Sequence, residues 1–253
     1  MKNKIILHLP HSSTKLPRFY KRRKKFVSKE RIEKFNFAMT DLYTDQLFSF
    51  KKYKYVKAKV SRIVCDVEKF LDDEKETMAK FGLGVIYNKT EMGEKLLKID
   101  DKYRNFVVNK YYIKHHKKLD SVVTKNLKKH KVILIDCHSF SQDIIMDEKL
   151  RKELPDICIG VEEKYRSEKL LTFTVDYFNA FGYTVKMNYP YVGSMIPDCL
   201  MNIDEKNFYS IMIEINRKIY LNNTKKSKNF KNLKKLINFY LNFLKNMEEL
   251  WKK

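Results

Sequence analysis

Six short apolar runs rich in β-branched residues punctuate this chain, and longer amphipathic stretches separate most of them. The runs are KIILHLP (4–10), YVKAKVSRIVCDV (55–67), KVILIDCHS (131–139), DICIGV (156–161), YTVKMNYP (183–190) and YSIMIEIN (209–216). Such runs read as strands. Helical periodicity falls around 28–51, 101–129, 163–181 and 228–252. The last is the most regular: Leu233, Leu236, Ile237, Tyr240, Leu241, Leu244 and Met247 recur at steps of three and four, which predicts an amphipathic C-terminal helix. Strands separated by helices predict an α/β chain, a three-layer sandwich whose central sheet is mostly parallel but mixed and is flanked by helices. With 253 residues, only 6 Gly and 5 Pro, and no internal repeat or linker-like segment, one domain over 1–253 is expected.

Composition removes several classes of function. No apolar stretch approaches the roughly 20 residues of a membrane span. The start, MKNKIILHLPHSS, has too short an apolar core for a secretory signal, so it reads as a first strand and the chain is expected to be cytoplasmic. The four cysteines (Cys65, Cys137, Cys158, Cys199) show no CxxC pairing, which argues against both disulfides and a Cys-ligated metal. A net charge of +22 invites a nucleic-acid reading. However, the cations are 44 Lys and 9 Arg spread along the chain, dense only in KRRKK at 21–25 and, more weakly, at 225–235. Dispersed lysine is the mark of solvated faces, so no nucleic-acid partner is expected.

Chemistry in a parallel sheet gathers beyond the carboxyl ends of the strands. Here the first run is followed by His11 and Ser12, the second ends near Asp66, and the third ends in His138 and Ser139. The last closes on Glu214, Asn216 and Arg217. No GxGxxG or GxxxxGK[ST] occurs, which argues against nucleotide binding by a Gly-rich loop. His8 lies inside its run and is expected to point into the packing, whereas His11 and His138 stand at strand ends that a parallel sheet can bring together. With acidic residues at other strand ends, they raise a metal site. A zinc hydrolase needs three ligands from His, Asp or Glu and one open position.

TDLYTDQLF supplies a carboxylate. Asp41 and Asp45 are four apart and would share a face of a helix, one binding metal and the other orienting a ligand; an N-capping Asp41 with a solvated Asp45 is the structural alternative. Glu214, flanked by Ile and Met, is costly to bury unless paired or working, and it suits a general base. Alternation puts Glu214 and Asn216 on one face, so Arg217 would have to act from the turn that follows. Arg62, in VSRIVCDV, could clamp a carboxylate or polarise a carbonyl, or else pair with Asp66. His116, in KYYIKHHKKL, could face the sheet, although amphipathic packing explains that stretch almost as well.

The chain resembles the N-formylglutamate amidohydrolase (N-formylglutamate deformylase) family in collinear blocks up to about residue 221: LHLPHSSTKLP, TDLYTDQLF, VSRIVCDVEKF, FGLGVIY, DCHSF, LPDICIG, MNYPYVGSMIP and MIEINRKIYL. Any one block is weak; eight in order are strong. The resemblance implies a fold like that of zinc carboxypeptidases and aspartoacylase, and zinc-dependent hydrolysis of the amide of an N-formyl or N-acyl amino acid. It implies one Zn2+ on His11, His138 and Asp45, with Asp41 as the alternative carboxylate, and Glu214 as the residue that activates water. It assigns Arg62 a catalytic and substrate-binding role and gives Arg217, Asn188, Ser139 and His116 to substrate binding. The partner is then a small N-acyl amino acid or a peptide.

Two positions depart from the family pattern. Where the family has an Asp-Leu-Asn-Arg-like tetrad, this chain has Asp66, Val67, Glu68 and Lys69, and the late Gly-Gly is Gly193-Ser194. An ammonium in place of a guanidinium fork weakens recognition of a second carboxylate. A different N-acyl amino acid or a peptide, including peptidoglycan-type substrates, is therefore the alternative on the same scaffold.

Overall fold

A computed structural model describes residues 3–142 and 151–247. The chain divides into two compact units. One contains the residues up to Leu9, Tyr43–Val56 and the chain from Leu119 onward; the other contains Pro10–Leu42 and Lys57–Lys118.

The first unit holds a six-stranded sheet of order β2-β1-β3-β6-β4-β5, with β1 Asn3–Leu9, β2 Lys54–Lys57, β3 Lys131–Phe140, β4 Ile157–Gly160, β5 Val185–Met187 and β6 Phe208–Asn216. β3 is parallel to both β1 and β6, β4 is antiparallel to β6, and β5 is parallel to β4. The sheet is thus mixed and mostly parallel, as the alternation of runs predicts. The register aligns Ile6 with Leu134, His8 with Asp136 and His138 with Glu214. Side chains alternate between faces along a strand. One face therefore reads Ile6 and His8 on β1, then Val132, Leu134, Asp136 and His138 on β3, then Phe208, Ser210, Met212 and Glu214 on β6. Its amino end is a buried apolar cluster of Ile6, Val132, Leu134 and Phe208 with Leu119 and Val123 of the helix Ile113–Leu127. Toward the carboxyl ends the same face turns polar while staying buried. This gradient positions the site.

The helices Glu168–Ala180 and Phe230–Asn246 pack on β4–β5 and on β1 respectively. The C-terminal helix buries Leu233, Leu236, Ile237, Tyr240, Leu241 and Leu244, the stripe read from its periodicity, and residues 248–252 of the expected helix lie outside the described residues. Each fully buried aliphatic side chain contributes about 1.5–3 kcal/mol. Tyr240 hydroxyl meets Thr174 Oγ1 at 2.8 Å, and Asn3 Nδ2 donates to Leu244 O at 2.8 Å, which ties the helix to β1. On β4, a side chain on Gly160 would collide with the carbonyl of Gly193, which itself sits at φ 86.

The second unit is largely irregular around one core. Ile32 and Phe35 of the helix Lys29–Met39 pack with Tyr20, Ile63, Val64, Cys65, Val85, Tyr87, Leu96 and Tyr103. Arg31 reaches Glu91 at 3.0 Å and Glu94 at 2.7 Å, and Arg23 lies over the Tyr103 ring at 4.2 Å. Here the structure corrects two expectations. The run 55–67 is a strand only to Lys57. Beyond it Val64 N–H and Cys65 N–H donate to Ser61 O, a turn that takes the chain off the sheet, so Asp66 is not at a strand end. The helical stretch 28–51 ends at Met39, where Thr40 returns both its N–H and its Oγ1 to Asn36 O, and it restarts only as Thr44–Leu47. Tyr43 between them has φ 64, a left-handed conformation no helix continues through. Asp41 and Asp45 therefore do not share a helix face. The helical stretch 101–129 is Asp101–Val107, a π turn at Val108–Tyr112, and then Ile113–Leu127.

Candidate functional site

In the first unit, the polar end of the sheet face collects four titratable side chains. Asp136 Oδ1 receives Nδ1 of His8 at 2.8 Å and Nε2 of His138 at 3.1 Å, while Oδ2 accepts the Met195 N–H at 3.0 Å. His138 Nδ1 lies 3.7 Å from Glu214 Oε2. All four are buried, His8 completely. Burial alone would oppose a charge on Asp136, but the two imidazoles outweigh it and hold its carboxyl well below the usual carboxylate range. His8 thus points into the interior, as expected, but toward a carboxylate rather than into apolar packing. At the end of β6, Asn216 side-chain oxygen accepts Lys218 N–H and starts a 3-10 turn, Arg217–Ile219. From that turn Arg217 donates Nε to Ser139 Oγ at 3.2 Å and Nη2 to Ser139 O at 3.1 Å.

In the second unit, His11 Nε2 meets Asp66 Oδ1 at 2.8 Å and Glu68 Oε2 at 3.4 Å, and its Nδ1 is 3.9 Å from Asp41 Oδ2. The other oxygen of Asp66 accepts Arg62 Nε at 3.0 Å, Arg62 Nη2 at 2.8 Å and Tyr87 hydroxyl at 2.8 Å. The dull pairing of Arg62 with Asp66 is therefore present. It also holds the guanidinium in one orientation. Burial opposes the charge on Asp66, yet Arg62 and His11 overcome it and keep the group well below the carboxylate range. Burial pushes the Tyr87 phenol well above its usual range, so it stays a donor. His116 Nε2 lies 2.8 Å from Val67 O and its ring stacks on Tyr112 at 4.2 Å between centroids.

Asn188, at φ 47, accepts the Val161 N–H at 3.1 Å and the Gly193 N–H at 3.4 Å on its side-chain oxygen and so staples its loop. Asp45 is half-buried on the short turn Thr44–Leu47. Lys69 lies 3.1 Å from Glu76, whose carboxylate also accepts the N–H groups of Phe70 and Met78.

The imidazole and carboxylate donors present could hold a metal ion. Imidazole and carboxylate ligands bond at about 2.0–2.2 Å. Two ligand atoms separated as His11 Nδ1 and Asp41 Oδ2 are can therefore reach one ion with little movement. Asp66 Oδ1 occupies the other ring nitrogen of His11, at 2.8 Å. Asp136 and Tyr87 are the groups to which reading the chain alone gave no role, and His8 was expected only in the packing. One signal was available: Asp136 and His138 are two apart in a strand and must share a face.

A model of the N-formylglutamate amidohydrolase family matches residues 3–221. Among solved structures, the N-formylglutamate amidohydrolase of Ralstonia eutropha JMP134 superposes with a TM-score of 0.79 at 19% identity, over 95% of this chain and 92% of that one. A gene product of Agrobacterium tumefaciens gives a TM-score of 0.65 at 18% identity, over 94% and 90%. At these identities the likeness is one of fold. No curated protein matches the chain. Among the described residues, no helix is long and apolar enough to cross a membrane.

Proposed function

The chain belongs to the N-formylglutamate amidohydrolase family, and we propose that it is a zinc-dependent amidohydrolase that cleaves the acyl amide of an N-acyl amino acid such as N-formylglutamate. The family match over residues 3–221 carries this reading. The mostly parallel sheet with buried imidazole–carboxylate pairs toward its carboxyl ends supports the carboxypeptidase-like part of it.

Ligand roles are assigned to His11, His138 and a carboxylate. Asp41 is preferred to Asp45 because its Oδ2 lies 3.9 Å from His11 Nδ1 and it is buried. When bound, the ion supplies Lewis acidity, polarising the scissile carbonyl and making water more acidic. Glu214 takes a proton from the attacking water and returns it to the leaving nitrogen as the C–N bond breaks. Arg62, with Nε and Nη2 committed to Asp66, offers its remaining edge to the carbonyl oxygen or the α-carboxylate. Arg217, steadied by Ser139, serves a second carboxylate. The products are formate, or another small acid, and a free amino acid.

The test is to assay the purified chain against N-formylglutamate, N-acetylglutamate, N-formyl derivatives of neutral amino acids and short peptides, with metal content measured in parallel. Turnover of an N-acyl amino acid, with metal and activity lost together in His138→Ala, is the expected result. A metal-loaded protein inert toward every one of these substrates would overturn the proposal. The Lys69–Glu76 pair favours a second reading on the same scaffold, an N-acyl amino acid without a second carboxylate.

A further inference from the structure

We propose that Tyr112 and His116 are positioning residues: together with Arg104 they hold the backbone of residues 67–71 in the shape that presents Asp66, and through Asp66 the Arg62 guanidinium, to the substrate. The proposal deepens the amidohydrolase reading above and takes its substrate from it.

An irregular segment has no ladder to satisfy its backbone, so its buried polar groups need partners from elsewhere. Residues 66–71, in the second unit, are neither helix nor strand. Asp66 N–H donates to Val85 O at 2.8 Å, Glu68 N–H to Asp66 Oδ1 at 3.2 Å and Phe70 N–H to Glu76 Oε2 at 3.2 Å. The alternate carbonyls are taken by side chains of one helical stretch. His116 Nε2 lies 2.8 Å from Val67 O, Tyr112 hydroxyl donates to Lys69 O at 2.9 Å, and Arg104 Nη2 donates to Leu71 O at 2.7 Å. A carbonyl only accepts, so the imidazole is the donor in the first of these bonds.

A regular α-helix would not bring these three side chains together. Positions 104 and 112 of an unbroken α-helix lie about 80° apart around the axis. The π turn Val108–Tyr112 takes in about one extra residue. That cuts the offset to about 20°, and His116 follows Tyr112 one turn later. Arg104, Tyr112 and His116 therefore form one stripe facing the segment. At the head of that segment Asp66 accepts Arg62 Nε at 3.0 Å and Nη2 at 2.8 Å. Freedom in the segment becomes freedom in the guanidinium, whereas Glu214, on β6, is held by the sheet. His116 then acts on the substrate through the segment, not by contact.

The test compares wild type, Tyr112→Phe, His116→Ala and His116→Gln, each checked for an unchanged circular dichroism spectrum. Loss of one hydrogen bond corresponds to about a 2- to 10-fold effect. Hydrogen exchange in peptides covering 66–71 should quicken by that factor in Tyr112→Phe and His116→Ala. It should return to the wild-type rate in His116→Gln, whose amide can still donate to Val67 O. KM for the N-acyl amino acid should rise and recover in the same pattern, with kcat near the wild-type value; a loss of stability alone would lower the active fraction and leave KM unmoved. Wild-type exchange in a folded Tyr112→Phe chain overturns the proposal. So does quickened exchange with an unchanged KM, which leaves the three bonds purely structural. A His116→Gln chain as impaired as His116→Ala overturns the positioning role of His116 and returns it to direct substrate contact. If wild type is inert toward every N-acyl substrate while the variants exchange faster, the amidohydrolase reading fails and the hold on the segment stands.

Discussion

His138 and Glu214 face each other across the β3–β6 ladder, and the imidazole Nδ1 is 3.7 Å from the carboxylate Oε2. Parallel pairing puts them at the same height on the same face, so neither needs a loop to reach the other. Replacing Glu214 by Gln keeps the shape and removes the proton acceptor. We expect kcat to fall roughly 100- to 10,000-fold while zinc content stays at the wild-type level. A variant within a few-fold of wild-type kcat would remove Glu214 from the mechanism.

The Lys69 ammonium is already satisfied by Glu76 at 3.1 Å. Lys69→Arg adds a fork that can hold Glu76 and still offer N–H groups to a substrate carboxylate. The ratio of kcat/KM for N-formylglutamate over an N-formyl neutral amino acid should rise by about tenfold, the equivalent of one modest charge-assisted hydrogen bond. An unchanged ratio would mean that residue 69 does not read the substrate.

Stability of the first unit leans on the C-terminal helix. Thr174 Oγ1 donates to Leu170 O at 2.6 Å, so it is Tyr240 that donates to Thr174. Tyr240→Phe removes one donor and strands none, which predicts a loss of only about 1 kcal/mol. Leu241→Ala instead opens a cavity in a completely buried position and should cost about 2–5 kcal/mol. Urea unfolding measures both, and the order matters more than either value.

Lys25 makes the pH prediction. Burial and then the nearby Arg23 charge lower its amine to about 8 from an ordinary 10.5. Below about pH 8 it is protonated in both the folded and unfolded states, and folding bears the full cost of confining the charge. Between 8 and 10.5 only the unfolded chain holds the proton, so stability rises with pH; above that range the cost is gone. Other groups titrate there too, so the informative quantity is the difference from Lys25→Met. That difference should shift in favour of wild type between pH 8 and 10.5 in unfolding experiments, and a flat difference would contradict the assignment.

Much of this was legible along the chain. Residues 4–10, 131–139 and 209–216 became β1, β3 and β6 almost to the residue, because a buried strand must be apolar wherever it runs. The stripe from Leu233 to Leu244 became a helix for the same reason: burial imposes a period that composition cannot hide. The run 55–67 failed because burial has no direction. Its later half is as apolar as a strand but lies in the core of the second unit, where turn hydrogen bonds at Ser61 replace a ladder.

The kinds of residue that do chemistry were likewise written in the sequence, since imidazoles and carboxylates stand out against apolar surroundings. Which of them touch was not. Asp136 joins His8 across 128 positions, and His11 joins Asp66 across 55. Hydrogen bonds at such separations depend on register and on where a loop returns, quantities set by the packing of the whole sheet and core. The separation of Asp41 from Asp45 turned on a single left-handed residue, Tyr43. The local pattern therefore determined the elements and the stock of functional groups, and tertiary structure alone decided the pairs, because a hydrogen bond is made over about 3 Å of space whatever the distance along the chain.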